Sequence, residues 1–420
     1  MIIVACLPSL GQDTYKRSSK DTLQNNTIVI PFAFYLKSFG VAAAVDVSTR
    51  KFIQDQAEST LVGLYSTNGT KYLYWDAKNI QVPLIKRLFI HPNVGIADYT
   101  KLDLYNGPNI KFPQEIAGNN NSSKDNFYSV KSKKIETELL FRYLLPIGFG
   151  KNTIINEITL DKGIVEKGYS RFSKGNNPIK NGRTFIDGSI FYQDQNLELP
   201  MVDLHKRYSG YSIGISNENV DFIANPSKGT KISYRHHQSL DIIKNSIPWQ
   251  MEEFSFSKYF NLKSSYLRQQ VLAFNVWTRN VTSYNDYHIE NKQKIYHRPS
   301  PFLGASLGGR YRFRGFPEGR YNDAASILYT GEYRIITDWN PLANWSFLKM
   351  LHVNVEWIQF VAFIETGKVA ERWTINNLHS NMRTDYGLGI RLFANEMVIR
   401  VDAAMSREGM QIQMFIDHAF

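Results

Sequence analysis

The sequence predicts an all-β fold, a transmembrane antiparallel β-barrel, and three observations point to it. Hydrophobicity alternates with a period of two along most of the chain, one of the two alternating faces carries charge, and the N-terminus reads as an export signal. The chain has 420 residues, 43% of them hydrophobic, and no internal stretch approaches the ~20 continuous apolar residues of a spanning helix, so a helical membrane protein is excluded. Aromatic residues make up 14%, with 24 Tyr and 26 Phe, while a single Cys rules out an internal disulfide framework. The net charge of +11 suits nucleic acid or an anionic membrane surface and does not choose between them.

The N-terminal "MIIVACLPSLGQD" has the apolar run of a signal peptide, with Ser9 and Gly11 at the small-residue positions of a cleavage before Gln12. Residues 1–11 are therefore expected to be a signal peptide and 12–27 a short N-terminal segment, with the barrel occupying 28–420. A basic n-region is missing, which points either to an upstream start or to a wrongly assigned first residue. "IVAC" also resembles a lipoprotein box with Cys6 as the lipidated residue, and a buried N-terminal strand is a third reading.

The strands follow from parity. In "NEMVIRVDAAMS" Met397, Ile399, Val401, Ala403 and Met405 share one face, opposite Val398, Arg400, Asp402, Ala404 and Ser406. "RTDYGLGIRLF" sets Tyr386, Leu388, Ile390 and Leu392 against Arg383, Asp385 and Arg391, and "ILYTGEYRI" sets Ile327, Tyr329, Tyr333 and Ile335 against Thr330, Glu332 and Arg334. A soluble antiparallel sandwich alternates too. The export signal, the unbroken succession of strands, the aromatic content and the charges on the supposed inner face favour a barrel with lipid outside and water inside. At ~25 residues per strand and loop, the chain after export holds about sixteen strands. "GNNNSSKDN" (118 to 126) and "RFSKGNNPIKNGR" (171 to 183) read as surface loops, and no helical module precedes the strands.

At the C-terminus, "GMQIQMFIDHAF" places Met410, Ile412, Met414, Ile416 and Phe420 on one parity with His418 as the polar exception. A last strand ending in an aromatic residue resembles the C-terminal signal of bacterial outer-membrane barrels. Since a sheet in lipid can leave no open edge, the strand near Gly40 to Ser48 is expected to pair with Met410 to Phe420.

One stretch carries a family resemblance. "LGGRYRFRGFPEGRYND" (307 to 323), followed by "GEYR" (331 to 334), "FIETG" (363 to 367) and the closing strands, resembles the Omp85 superfamily, the bacterial surface antigen D15 barrels that include outer-membrane protein assembly factors and two-partner secretion translocators. "NENVDFIANPSKGTKISY" (217 to 234) looks like the family's Asp…Pro-x-x-Gly strand, turn and strand. The resemblance implies a long extracellular loop folded back into the lumen, with Phe313, Arg314, Gly315 and Phe316 at its tip. It further implies that Arg314 meets Glu332 and Glu365 on the inner wall, and that the chain is a member lacking periplasmic modules. A guanidinium fork suits carboxylates, Gly315 allows a turn where a Cβ would obstruct it, and the two phenylalanines can wedge the loop. Glu365 stands where the family usually has Asp, one methylene shorter. The bland alternative is a solvated basic and aromatic loop.

Other motifs are weaker. "GYSIG" around Ser212 matches a nucleophile elbow, but that motif needs a strand entering a helix, and here another strand follows. His236 and His237 are adjacent and on a strand point to opposite faces, so they cannot share a metal. No catalytic residue, metal or cofactor is expected. The resemblance implies non-enzymatic insertion or translocation of polypeptides across a seam between first and last strands, with His418 and the short last strand weakening that seam. Outer-membrane lipids and lipopolysaccharide, unfolded client polypeptides and accessory lipoproteins are the partners implied, and nucleic acid is not. A passive pore or structural barrel is the competing reading.

Overall fold

The computed structural model describes residues 13–17, 26–36, 40–167, 175, 177–198, 203–240, 248–284, 287–288, 294–295, 304–350, 353–395, 397–416 and 418–420. The expected signal peptide and Cys6 lie outside the described residues. Among these, sixteen strands build the barrel wall: β1 Thr27–Leu36, β2 Gly40–Arg50, β3 Glu58–Ser66, β4 Lys71–Lys78, β5 Leu88–Leu104, β6 Tyr128–Leu144, β7 Arg183–Glu198 and β8 Asp203–Val220, then β9 Gly229–Leu240, β10 Gln250–Asn261, β11 Gln269–Ser283, β12 Ala325–Ile336, β13 Val355–Ala370, β14 Arg383–Ala394, β15 Met397–Ser406 and β16 Gly409–Ile416.

Each strand pairs antiparallel with its successor in the chain, so the ladder runs from β1 to β16 as a meander. The sheet is a closed barrel in which β1 and β16 touch. An even number of strands puts both ends of the wall at one rim, called here the near end; the opposite rim is the far end.

The strand near Gly40 is thus not the seam strand. It is β2, paired with β1 on one side and β3 on the other, and Thr27–Leu36 is the first strand. That run, "TIVIPFAFYL", contains Pro31, a residue without an N–H that a sheet tolerates at an edge and rarely in the middle.

Alternation decides the two faces of the wall. On β14, Asp385 and Arg391 are buried, while Tyr386, Leu388 and Ile390 point outward. Across the wall Ile96, Ile190, Ile213, Ile364, Leu388 and Ile412 are each between 51% and 68% exposed, an apolar belt that water would not stabilise and that lipid would cover. The inward set is polar. Arg334, Gln359, Glu365, Asp385, Arg391 and Arg400 are all fully buried, although they come from four different wall strands.

Two connections fold into the barrel rather than away from it. At the far end the β11–β12 connection carries a small hairpin, Ala305–Leu307 with Tyr321–Asp323, around the stretch Gly308–Arg320. At the near end the β6–β7 connection forms a separate three-stranded sheet. There Asn156–Asp161 pairs parallel with Asp13–Arg17 and antiparallel with Ile164–Lys167.

Candidate functional site in the barrel lumen

Three arginines of the inserted far-end loop, Arg312, Arg314 and Arg320, reach three different parts of the interior. The stretch can fold this way because Phe313 takes a left-handed backbone (φ 67), an uncommon conformation for a bulky residue that the surrounding contacts must hold. Its ring lies tilted against that of Phe316, 4.5 Å between centroids, and both are fully buried with Trp277, Leu307, Tyr321, Leu328 and Val369. This aromatic wedge aims the next residue, Arg314, at the wall formed by β12 to β15.

Arg314 is fully buried among carboxylates. Its Nη1 lies 3.0 Å from Glu332 Oε1 and 2.9 Å from Asp402 Oδ2, and its Nε lies 3.3 Å from Glu365 Oε1. The guanidinium plane also sits 3.5 Å above the Phe363 ring. The backbone takes part: Arg314 N–H donates to Glu365 Oε2 at 2.6 Å, and Gly315 N–H donates to Asp385 Oδ2 at 2.5 Å. Burial opposes the charge of Arg314, but Glu365, Asp402 and Glu332 outweigh it and hold the guanidinium charged well above its ordinary range. Gly315 is required by proximity, since a Cβ there would come 2.5 Å from the Asp385 Cβ.

The carboxylates are themselves shared. Glu332 accepts from Arg391 Nη2 at 2.8 Å on both oxygens and from Arg334 Nε at 2.7 Å. Asp402 accepts from Arg400 Nη1 at 3.1 Å, and Arg400 Nη2 donates to the carbonyl of Arg310 at 2.7 Å. The four guanidiniums of Arg314, Arg334, Arg391 and Arg400 therefore share the three carboxylates of Glu332, Glu365 and Asp402, while Asp385 accepts the Gly315 backbone N–H, in a space where an unmatched charge would be costly.

The remaining arginines fix the loop elsewhere. Arg312 Nη2 lies 3.3 Å from Glu253 on β10, which also pairs with Arg279 at 2.9 Å. Arg320 contacts Glu408 in the β15–β16 turn at 2.8 Å and donates to the Ser122 carbonyl at 2.6 Å. Between the loop and the β6–β11 wall lies a cavity of about 330 Å³, bordered among others by Arg142, Asp187, Glu218, Arg235 and Glu253.

The structure thus places Phe313, Arg314, Gly315, Phe316, Glu332 and Glu365 together, and the longer Glu365 reaches both the side chain and the backbone of Arg314. Two features differ from the sequence expectation. The guanidinium of Arg314 reaches Asp402 in addition to the expected Glu332 and Glu365, and Asp385 joins the site by accepting from the Gly315 N–H. Both aspartates stand on the polar faces that alternation defines; parity identified their direction, but nothing in a single sequence told which inward acids lie at the height of Arg314.

The C-terminus also departs from expectation. Ile412 is 53% exposed on the outer face and Met414 is partly buried, but the last strand ends at Ile416, whose side chain lies outside the described residues. Phe420 is not on the outer face. It enters the lumen, stacks on Tyr259 at 6.2 Å and packs on Val220, Ile223, Val271 and Ala273. Four residues beyond the strand suffice for the chain to turn inward, and there the ring finds both an apolar cluster and the Arg334 guanidinium, 5.1 Å away. His418 Nδ1 accepts a hydrogen bond from Arg391 Nη1. Burial, with Arg391 and Arg334 adding to it, holds the imidazole well below its ordinary range, in keeping with a neutral acceptor.

Ser212 faces inward and meets Ser189 Oγ at 2.7 Å. His237 lies 3.3 Å from Glu253, whereas His236 lies 2.7 Å from Glu252.

No family model and no curated protein matches this chain. Solved structures do. The barrel is similar to CdiB from Escherichia coli, with 9% identity and a TM-score of 0.54 over 93% of this chain and 61% of that one. It is similar to CdiB from Acinetobacter baumannii, with 10% identity and a TM-score of 0.50 over 93% of this chain and 59% of that one. BamA from Haemophilus ducreyi lacking POTRA domains 1–3 aligns at 12% identity and a TM-score of 0.49, over 94% of this chain and 69% of that one. The chain spans about three fifths of the length of either CdiB.

Proposed function

We propose, from the premise that this chain is an Omp85-type barrel by fold, that it resides in a bacterial outer membrane and inserts or translocates other polypeptides without covalent chemistry. The observation that carries this reading is the contrast between a lumen filled from both ends and a weak junction in the wall. Among the described residues, residue-by-residue ladders join each wall strand to its successor from β1 to β16, and the contact by which β1 and β16 close the barrel is short. A pore needs an open lumen; a device that lends a strand edge to an incoming chain needs a junction that parts.

The strand lengths agree. β5 to β8 run 17, 17, 16 and 18 residues, while β16, like β4, has 8, fewer than the ~9–11 that cross a bilayer. Outer-membrane lipid and lipopolysaccharide would cover the apolar belt, and client polypeptides and accessory lipoproteins would be its protein partners. The Arg314 web would hold the loop against β12 to β15 and so stiffen the half of the wall next to the junction.

Depletion of the protein followed by measurement of the outer-membrane proteome tests the proposal. An assembly factor lowers many barrels at once and a translocator loses a single cargo. A change in permeability alone, with the proteome intact, would establish the pore reading instead.

A further inference from the structure

The near end is closed by an element that the proposed function does not use. Residues 148–167 of the β6–β7 connection send Ile158 and Leu160 into the lumen, where they are at most 1% exposed against Phe222, Ile336, Trp357, Phe393 and Val398. The strand Asn156–Asp161 is amphipathic: Ile158 and Leu160 face the barrel, and Glu157 and Asp161 face out. Gly163 ends the hairpin in a left-handed conformation (φ +73), its carbonyl accepts from Trp357 Nε1 at 2.9 Å, and a Cβ on it would fall 2.7 Å from the Phe393 ring. Backbone carbonyls anchor the element to the rim: Arg87 donates to Gly150 at 2.8 Å, and Arg268 donates to Lys162 at 3.0 Å.

The other side of this insert is a peptide-binding geometry. One edge of Asn156–Asp161 is paired with Ile164–Lys167, and its second edge is filled by five residues of the same chain, Asp13–Arg17, in parallel register from Asp13 opposite Asn156 to Arg17 opposite Leu160. Backbone pairing selects an extended conformation rather than a particular sequence. Charge adds a preference: Glu157, Asp161 and Glu166 are exposed on the insert, and the segment seated there carries Lys16 and Arg17.

We propose that residues 148–167 form a plug that seals the near end of the lumen, and that the outer edge of its strand Asn156–Asp161 is a docking edge for an extended, basic polypeptide segment, occupied in this structure by Asp13–Arg17. The strand that shuts the lumen with its apolar face is the one that offers its edge, so exchange of the occupant acts directly on the closure. If the chain handles polypeptides, a segment of the incoming chain is the natural competitor, and to that extent the inference rests on the proposed function.

Two measurements on the purified full-length protein test it, and neither requires a client. In planar bilayers, Ile158→Asp with Leu160→Asp should convert a low-conductance barrel into one with clear open steps, with retention of the heat-dependent gel shift reporting an intact wall. Gly163→Val, which clashes with Trp357 and Phe393 without adding charge, should do the same. Equal conductance of parent and gel-shift-positive variants would overturn the plug.

For the edge, the probe is a synthetic peptide of sequence DTYKR with a photo-crosslinker. Its crosslink to residues 156–161 should be strongest in Tyr15→Pro, whose own strand loses a backbone donor. It should be weaker in the parent, and lost when Thr14→Cys and Glu157→Cys lock the native occupant in a Cys6→Ser background. Those two positions face each other in register, and parallel neighbours stand ~4.8 Å apart, within disulfide reach. A DTYEE peptide should crosslink less than DTYKR. Equal crosslinking in released and locked forms would overturn the docking edge. Since conductance and crosslinking are independent of client assembly, their failure leaves the depletion experiment to decide the proposed function by itself.

Discussion

The two ends of the lumen hold inserts whose deepest contacts differ in kind. At the far end the loop, wedged by Phe313 and Phe316, is positioned by charge, with Arg314 fully buried among Glu332, Glu365 and Asp402. At the near end the inserted strand is held by apolar surface, Ile158 and Leu160 against Trp357 and Phe393. A buried ion-pair web is directional and tells one loop position from its neighbours, but dehydrating the charges offsets much of the attraction. Apolar burial is roughly proportional to area and tolerates sliding. The difference teaches that the far end is built to hold one register, whereas the near end is built to hold shut while remaining able to shift. Removing one partner should therefore break the far end abruptly and the near end gradually.

The largest effect is expected from Arg314→Ala. It leaves Glu332, Glu365 and Asp402 without the cation they share, at a cost of about 3–5 kcal/mol for a dry pair and less where lumen water intervenes. The loop should become accessible to protease in intact cells while the heat-dependent gel shift persists, because the wall is held by its backbone ladder. Arg314→Lys should restore only part of the protection, since an ammonium cannot span three carboxylates. Glu332→Gln should exceed Glu365→Gln, because three guanidiniums meet Glu332. An Arg314→Ala loop as protected as the parent's would sink the clamp.

Trp357→Ala comes next. It removes the hydrogen bond to Gly163 and a ring stacked 5.2 Å from Phe393, for a loss of about 3 kcal/mol in near-end docking. Protease sites in 148–167 should open while those in 308–320 stay closed. Simultaneous release of both ends would mean that they form one cooperative unit and that the contrast between them is false.

Gly315→Ala is a smaller and sharper probe. The added Cβ meets the Asp385 Cβ at 2.5 Å, so the tip must shift, at about 1–3 kcal/mol. Far-end protection should fall with near-end protection unchanged, and a neutral result would show that the tip has slack.

The smallest effect is a pH dependence of the C-terminal tail. The pKa of His418 is lowered when docked, so between that value and its ordinary 6.5 the released tail binds a proton that the docked tail does not. Docking is fully stabilised above pH 6.5 and weakens as pH falls below it. Carboxypeptidase should remove Phe420 faster at pH 5 than at pH 8, and His418→Asn should flatten the profile; better protection at pH 5 would contradict the assignment.

The legibility of these features in the sequence was uneven for physical reasons. Parity separates inside from outside because side chains on a regular strand alternate, so Glu332, Glu365, Asp385 and Asp402 could all be assigned inward. Height along the barrel axis depends on the stagger between strands, which no local pattern encodes; that is why Asp385 and Asp402 were not tied to Arg314. "NEITLDKGIVEK" alternates as a wall strand does, so periodicity cannot reveal that it forms a separate sheet inside the near end. The first strand carries its edge signal in a single residue, Pro31, whereas its neighbour Gly40–Arg50 has the cleaner alternation. The terminal Phe420 shared the parity of Met410 and Ile412, but parity has no meaning once the strand has ended at Ile416.

The inward turn of the last residues sets an order of events. Phe420 rests on β10 and β11, and His418 on β14, whereas the tail itself leaves from β16. It can settle only after strands far apart in the chain have come round to face one another. Its seating is therefore a timestamp for the completed cylinder: in a pulse-labelled population, resistance of the final residue to carboxypeptidase would count finished molecules and exclude every open sheet that precedes them.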